Sequence, residues 1–356
     1  MNKRKKVLVA VLDWGMGHAT RCIPIIQMLK SKNCQPVLAG NGRAYEVLRK
    51  QFPELKIYRL SSYNPRYPAG RNMVLKMGLQ LPKFLFTIWR ERRETEKIVE
   101  RENIDAVISD NRYNCYSRRV KSVFITHQTH VIMPPGHKLL EKWVNRINEN
   151  FINNYSECWV PAPDAAWLGK LQHDSGSLRK RFIGHLSSMQ KENTEKIYDV
   201  CLVCSGPEPQ RSLLEKIVHH HLKKTDLSYI IVRGKPEALN PVYSHEAHRL
   251  VVNYLNSDEL ARVINQSRIV IARSGYSMIM DLAKLGARAI FIPTPGQTEQ
   301  EHLASVMMQN NIAPAYDQRH FMLQKALRDA DHYTGFAAAF SFDNSLLETA
   351  LDSLLC

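Results

Sequence analysis

A chain of 356 residues is long enough to build two hydrophobic cores. Its 49 Lys+Arg exceed its 34 Asp+Glu, for a net charge of +15. The excess is one-sided: residues 1–182 hold 32 basic and 15 acidic side chains, leaving 17 and 19 for the rest. The basic half calls for an anionic partner: a phospholipid surface, or a phosphorylated or acidic acceptor. Nucleic acid is disfavoured, because no reader motif is present and the aromatics do not interleave with the basic clusters. No stretch is apolar enough to span a bilayer, and the run Val7 to Leu12 behind Lys3-Arg4-Lys5-Lys6 is too short for a signal peptide. Seven scattered cysteines, an odd number, fit free thiols in a reducing cytoplasm.

In chain order, Val7 to Leu12 reads as a buried strand, and Asp13-Trp14-Gly15-Met16-Gly17-His18 leads from it into a helix over 19–30. The Gly-x-Gly lacks the third glycine and downstream acid of a dinucleotide loop. His18 and Asp13 are both placed to act as a general base, and the imidazole titrates nearer neutrality. Further strands follow at 35–39 and 56–60. The segment 73–102 then carries a broad apolar face with Leu75, Leu81, Phe84, Leu85, Ile88 and Trp89, interrupted by Pro82 and flanked by Lys76, Lys83, Arg90, Arg92 and Arg93. That pattern fits a membrane interface, or a helix packed on a sheet with snorkelling basic side chains. Strands at 106–109 and 123–126 end in Asp110-Asn111-Arg112-Tyr113 and His127-Gln128-Thr129-His130. These polar clusters share one sheet edge with the Asp13 loop, either lining a cleft or forming a structural network. No carboxylate joins His127 and His130 at a spacing that suits a metal. Cys158 to Val160 reads as the last strand of this half.

After a polar linker the pattern restarts at 199–204, where Cys201 and Cys204, three apart on a strand, face opposite sides and read as core thiols. Ser205-Gly206-Pro207-Glu208-Pro209-Gln210 enters a helix. Strands at 229–232 and 250–252 precede Leu255 and a capping box, Asn256 with Glu259. The stretch 267–302 is one βαβα unit. A strand over 268–272 stops at Arg273-Ser274-Gly275, a helix ends at Gly286, and a strand over 289–292 meets Pro293-Thr294-Pro295-Gly296-Gln297-Thr298-Glu299-Gln300-Glu301-His302. Ligands of such units lie beyond the carboxyl ends of the strands, where helix N-termini attract anions. Ser274 and Gly275 would open a helix against a diphosphate, and Asp281 would accept from a ribose hydroxyl.

Arg273-Ser274-Gly275, the acid at Asp281 and Gln300-Glu301 after a Pro-rich turn resemble the donor-site signature of GT-B glycosyltransferases. The nearest type is that of the peptidoglycan N-acetylglucosaminyltransferases and galactolipid synthases. Residues 13–21, Asp-Trp-Gly-Met-Gly-His-Ala-Thr-Arg, resemble the opening of bacterial glycosyltransferase-like proteins. The chain departs from the type with Asp281 for a usual Glu and Glu301 for a second Gln. The resemblance implies an α/β GT-B architecture, two Rossmann-like doubly wound parallel-sheet domains facing a central cleft. The bounds expected are 1–182 for the acceptor domain, 183–198 for a linker, 199–340 for the donor domain, and 341–356 for a helix returning to the first. It implies transfer from a nucleotide-diphosphate sugar, UDP-linked, to a hydroxyl acceptor, inverting and without metal or other cofactor. Ser205, Gly206, Gln210, Leu255, Arg273, Ser274, Gly275, Asp281, Gln297, Gln300 and Glu301 would serve the donor. Gly15, Gly17, Asp110, Asn111, Arg112 and His127 would serve an acidic, lipid-linked or glycan acceptor, with the basic half on an anionic membrane in the cytoplasm. A nucleotide-sugar 2-epimerase or hydrolase on the same fold, and a non-catalytic basic membrane- or nucleic-acid-binding scaffold, are the alternatives.

Overall fold

The structure, a computed structural model, describes residues 4–14, 17–66, 73–164, 166–173, 176–238, 242–246, 248–337 and 344–356. The central apolar runs that read as strands are buried on both faces, and the runs form two sheets. The first half contains β1 (Lys6–Val11), α1 (Gly17–Ser31), β2 (Gln35–Gly40), α2 (Gly42–Gln51), β3 (Ile57–Arg59), α3 (Met73–Gly78) and α4 (Leu81–Glu102). It continues with β4 (Ala106–Asp110), β5 (Lys121–Ile125), α5 (Lys138–Ile152), β6 (Glu157–Val160) and β7 (Lys180–Phe182). Among the described residues these strands make one sheet in the order β3-β2-β1-β4-β5-β6-β7, every pair parallel.

The second half contains β8 (Tyr198–Val203), α6 (Gln210–Leu222), β9 (Tyr229–Val232), β10 (Val242–Glu246), β11 (Arg249–Val252), α7 (Ser257–Asn265) and β12 (Ser267–Ala272). It ends with α8 (Tyr276–Leu285), β13 (Ala289–Phe291), α9 (Thr298–Gln309), α10 (Leu323–Ala330) and α11 (Ser345–Leu355). Its sheet runs β10-β11-β9-β8-β12-β13. Cys201 and Cys204 lie in different core clusters, on opposite faces of that sheet, as the two-residue period requires.

Three local expectations are corrected. The strand over 158–160 is not the last of its sheet, because β7 adds a further parallel strand beside it. The second sheet is not purely parallel: β10 pairs antiparallel with β11 at one edge, where a short polar segment gives little apolar alternation to read. The helical pattern over 73–102 is two helices, and Pro82 sits at the first turn of α4, where its missing N–H costs nothing. At the end of the chain, Leu347, Ala350, Leu351 and Leu354 of α11 join the core built by β1 and α1. The last helix is therefore packed on the first sheet, with Lys32 Nζ 2.6 Å from Asp352 on its outer side.

Candidate active site

In a parallel sheet every strand points its carboxyl end the same way, so the loops after β1, β4 and β5 share one edge. β1 lies beside β4, with Val11 opposite Asp110, and β4 beside β5, with Asp110 opposite Ile125. The first turn of α1 brings His18 to this edge, and the loop after β5 brings His127. His18 Nδ1 is 2.9 Å from Asp110 Oδ2, with 15% of the His18 side chain exposed and Asp110 fully buried. Arg21, one turn further along α1, donates Nε–H to Asp110 Oδ1 at 2.8 Å and approaches the same oxygen with a second guanidinium nitrogen. Its remaining terminal nitrogen is 2.9 Å from Nδ1 of His127. Burial alone would raise the Asp110 carboxyl, but the Arg21 and His18 charges overcome it and hold the group below its ordinary value. An ionised Asp110 fixes the His18 tautomer: Nδ1–H donates to the carboxylate, leaving Nε2 as a lone-pair acceptor. Burial, reinforced by Arg21, lowers the His18 pKa below 6.5 against the pull of Asp110, so the ring is ready to take a proton at neutral pH.

Asp13 sits deeper. Its side chain is 2% exposed, 3.7 Å from Arg112, and bonded by the Ser62 hydroxyl. Arg112 is wholly buried, donating to Val11 O at 2.9 Å and to Ser61 O at 3.0 Å, and pairing with Glu91 at 2.8 Å. This pair braces the loop on which His18 stands. Asn111, at φ 53°, turns the chain between Asp110 and Arg112. Gly17 opens α1, where a Cβ would stand 3.1 Å from Ser277 Oγ of the other domain. Gly15 lies outside the described residues.

On the second sheet β8, β12 and β13 are adjacent and parallel, so the N-termini of α6, α8 and α9 open side by side. Gly206 and Gly275 precede two of them. Among the described residues no heavy atom lies within 4 Å of where a Cβ would stand on either. A backbone with open approach at helix N-termini is what a diphosphate needs. The polar side chains around it turn inward. Arg273, 1% exposed, donates to Ile292 O at 2.9 Å, Pro293 O at 3.0 Å, Gln210 O at 2.7 Å and the Gln318 side chain at 2.5 Å. It clamps the ends of β12, β13 and α6 together, and Gln210 is buried in the same clamp. Burial pushes the Arg273 guanidinium down to about 10. Ser274 donates to Gln300 O at 2.8 Å. Gln297 caps α9 by accepting from Gln300 N–H, Gln300 accepts from Thr294 N–H at 2.8 Å, and Glu301 accepts from Gly296 N–H at 2.9 Å. These bonds set the loop's shape, with the Arg273, Ser274 and Gln210 side chains engaged by protein groups. Leu255 is half-buried just before α7. Ser205 is half-buried, and next to it Gly206 meets the first domain, where Arg43 reaches Gly206 O at 3.4 Å.

Asp281 is buried, and Ser187 of the interdomain segment donates to it at 2.7 Å. Burial pushes its carboxyl up to about 7 despite that bond. The domains meet at their two ligand edges. Ser277 Oγ donates to Gly17 O at 2.9 Å, and Glu299 Oε1 is 2.7 Å from His127 Nε2. The His127 and Tyr276 rings stack at 4.4 Å and 11°. Sequence reasoning did not assign roles to Arg21, Tyr276, Ser187 or Glu299. Arg21 had a signal, being the last residue of the distinctive 13–21 segment and four residues from Gly17 on one helix face, whereas the other three owe their roles to contacts between elements far apart in the chain. Among the described residues no group of three His, Cys, Asp or Glu is placed to hold a metal.

Residues 200–338 match the glycosyltransferase family 28 C-terminal domain. The UDP-N-acetylglucosamine--N-acetylmuramyl-(pentapeptide) pyrophosphoryl-undecaprenol N-acetylglucosamine transferase of Histophilus somni is 22% identical over 317 residues, covering 85% of this chain and 82% of its own. Its namesake from Methylorubrum populi is 23% identical over 326 residues, covering 86% and 83%. Among solved structures, the glycotransferase of kitacinnamycin superposes with a TM-score of 0.61 at 16% identity, covering 99% of this chain and 95% of its own. Acinetobacter baumannii MurG superposes with a TM-score of 0.57 at 14% identity, covering 99% of each chain. The two-sheet fold is that of GT-B glycosyltransferases, residues 200–338 carry a glycosyltransferase family 28 C-terminal domain, and together these findings support sugar transfer from a nucleotide-sugar donor by an enzyme resembling the peptidoglycan N-acetylglucosaminyltransferases.

Proposed function

We propose that the protein transfers an N-acetylhexosamine from a UDP-linked donor to a hydroxyl of a lipid-linked glycan acceptor, inverting the anomeric centre in one displacement. The observation that carries this reading is the His18–Asp110 pair, whose Nε2 lies at the interdomain edge with its tautomer set by a buried carboxylate. His18 Nε2 takes the acceptor hydroxyl proton as that oxygen bonds to the anomeric carbon from the face opposite the diphosphate. The bond from that carbon to the diphosphate oxygen breaks, and UDP leaves with the electron pair. Backbone N–H groups at the N-termini of α8 and α9 receive the negative charge, held rigid by the Arg273 clamp, so no metal is needed for that step. Asp281 binds the ribose hydroxyls, Leu255 lies by the base, and Gln300 and Glu301 lie by the sugar. The domain bounds expected above, 1–182 and 199–340, divide acceptor from donor.

The lipid-linked acceptor is supported by an exposed apolar face on the first domain. Leu79, Leu85, Phe86 and Trp89 on and before α4, and Leu139 and Trp143 on α5, are about half exposed or more. The crossovers β3 to β4 and β5 to β6 run in the same direction across the sheet, which places both helices on the same face. Asn114 binds Ile88 O of α4 and Tyr113 binds Asn148 of α5, bridging the two. With Lys76, Lys83, Arg90 and Arg93 around it, this face suits an anionic bilayer surface. Among the described residues no helix is long and apolar enough to cross a membrane. The test is thermal stabilisation by UDP, GDP, dTDP and CMP, each with and without Mg²⁺. A pocket filled at 100 times its dissociation constant gains about 2.7 kcal/mol. A shift with UDP alone, equal in both buffers and lost in Asp281→Ala, is expected; no shift with any nucleotide would overturn the reading.

A further inference from the structure

We propose that Glu299 is a positioning residue for the transfer. Delivered by the donor domain onto His127, it completes a hydrogen-bonded chain through Arg21 and Asp110 that fixes the ring of His18. The inference rests on His18 being the base. Its starting point is that a guanidinium can only donate. Arg21 therefore makes His127 accept at Nδ1, across 2.9 Å, and the His127 proton resides on Nε2, where it is donated to Glu299 across 2.7 Å. Each remaining link has one direction: Arg21 donates to Asp110 at 2.8 Å, and His18 donates to Asp110 at 2.9 Å. No link can reverse without breaking a neighbour.

The chain crosses between domains at one point. Arg21, Asp110, His18 and His127 all belong to the first domain, and Glu299 stands in the first turn of α9 in the second. His127 is held by two elements of that domain at once, by Glu299 at its edge and by the Tyr276 ring across its face. Separation of the domains would remove both, freeing His127 and with it one of the restraints on Arg21. Closure over the donor thus orders the base, so proton abstraction is favoured only when the sugar is enclosed. The charged and titratable groups facing His18 are Asp110, Arg21, His127 and Glu299, with Cys22 and Tyr276 beside Arg21. Glu299 adjoins Gln300, so direct contact with the sugar is the competing role.

The test is a ¹³C-histidine NMR titration of His18 in the full chain, comparing wild type, Glu299→Gln and Glu299→Ala. Both variants lose the charge, but the Gln amide oxygen still accepts from His127, and the difference between the two isolates the chain. The His18 midpoint in Glu299→Ala is expected above that in Glu299→Gln, because a loosened Arg21 and admitted water relieve both effects that depress it. Coincident midpoints would overturn the proposal, and melting curves verify that both variants are folded. In transfer assays with UDP-N-acetylglucosamine, Glu299→Ala should lower kcat roughly 10- to 100-fold with donor KM within about threefold, as misplacement of a catalytic group does, and Glu299→Gln should recover most of it. A raised KM with unchanged kcat would make Glu299 a sugar contact instead. His18→Ala separates the two levels: undiminished transfer there would remove the base assignment, while the NMR comparison still decides whether Glu299 governs His18.

Discussion

The two ligand edges of this molecule use polar side chains in opposite ways. After β1, β4 and β5, the side chains His18, Asp110 and Arg21 converge on one another and leave a single imidazole nitrogen at the interdomain edge. After β8, β12 and β13, Arg273 clamps the ends of β12, β13 and α6, and Ser274 and Gln300 bond backbone groups of the segment that opens α9, while Gly206 and Gly275 keep open approach. The proposed chemistry would account for the difference. Abstracting a proton needs a titratable side chain with a tuned pKa, whereas receiving a diphosphate needs fixed dipoles, which the backbone supplies once side chains hold it still.

If that contrast is right, substitutions on the two edges should fail differently. His18→Ala should lower kcat by roughly 10²- to 10⁴-fold, as loss of a general base does, with a melting temperature close to wild type. A large loss of stability instead would show the imidazole to be a packing residue. Arg273→Met should act the other way. It leaves three backbone carbonyls and the Gln318 side chain without their donor, and denaturant unfolding should show a loss of about 3 kcal/mol. Activity would fall with the loss of donor binding, through KM more than through the chemical step.

The acidic groups sharpen the comparison through pH. Asp281 has its folded pKa raised to about 7 by burial, above the ordinary carboxylate range of the unfolded chain. The folded state therefore binds the extra proton between about pH 4 and pH 7, and stability falls as pH rises through that window. Asp281→Asn should flatten that part of the stability profile and melt above wild type at pH 8, while losing nucleotide-induced stabilisation. A profile identical to wild type would mean that the carboxyl is not buried as described. Asp110, held low, has the opposite sign: its contribution is present at neutral pH and is lost only as pH falls through its depressed value. The smallest effect on stability, within about 0.5 kcal/mol, is expected for the exposed pair Phe86→Ser with Trp89→Ser. The same double variant should lose binding to phosphatidylglycerol vesicles in sedimentation; unchanged binding would place the membrane contact elsewhere.

Much of this was legible in the chain. Buried β-branched runs followed by helical spacing located the strands whose carboxyl ends carry the candidate site, and the clusters at Asp13–His18, Asp110–Arg112, His127 and Arg273–Glu301 lie at those two edges. The orientation of side chains within those clusters was not. Arg273 and Arg112 read as donor-side and acceptor-side residues, yet each is drawn inward by carbonyls at the ends of neighbouring strands, partners known only once the sheet order is known. Glu299 shows the same limit between domains. Its neighbours Gln300 and Glu301 carry the family resemblance, but its own partner is 172 residues away, and local periodicity carries no information about that contact.

His18→Ala and Asp281→Ala, each assayed for UDP-induced thermal stabilisation and for sugar transfer from UDP-N-acetylglucosamine, separate the two edges most directly. His18→Ala is expected to retain the full nucleotide shift and to transfer almost no sugar, while Asp281→Ala loses the shift itself. Transfer by His18→Ala at the wild-type rate, or loss of nucleotide binding in both variants alike, would contradict that expectation.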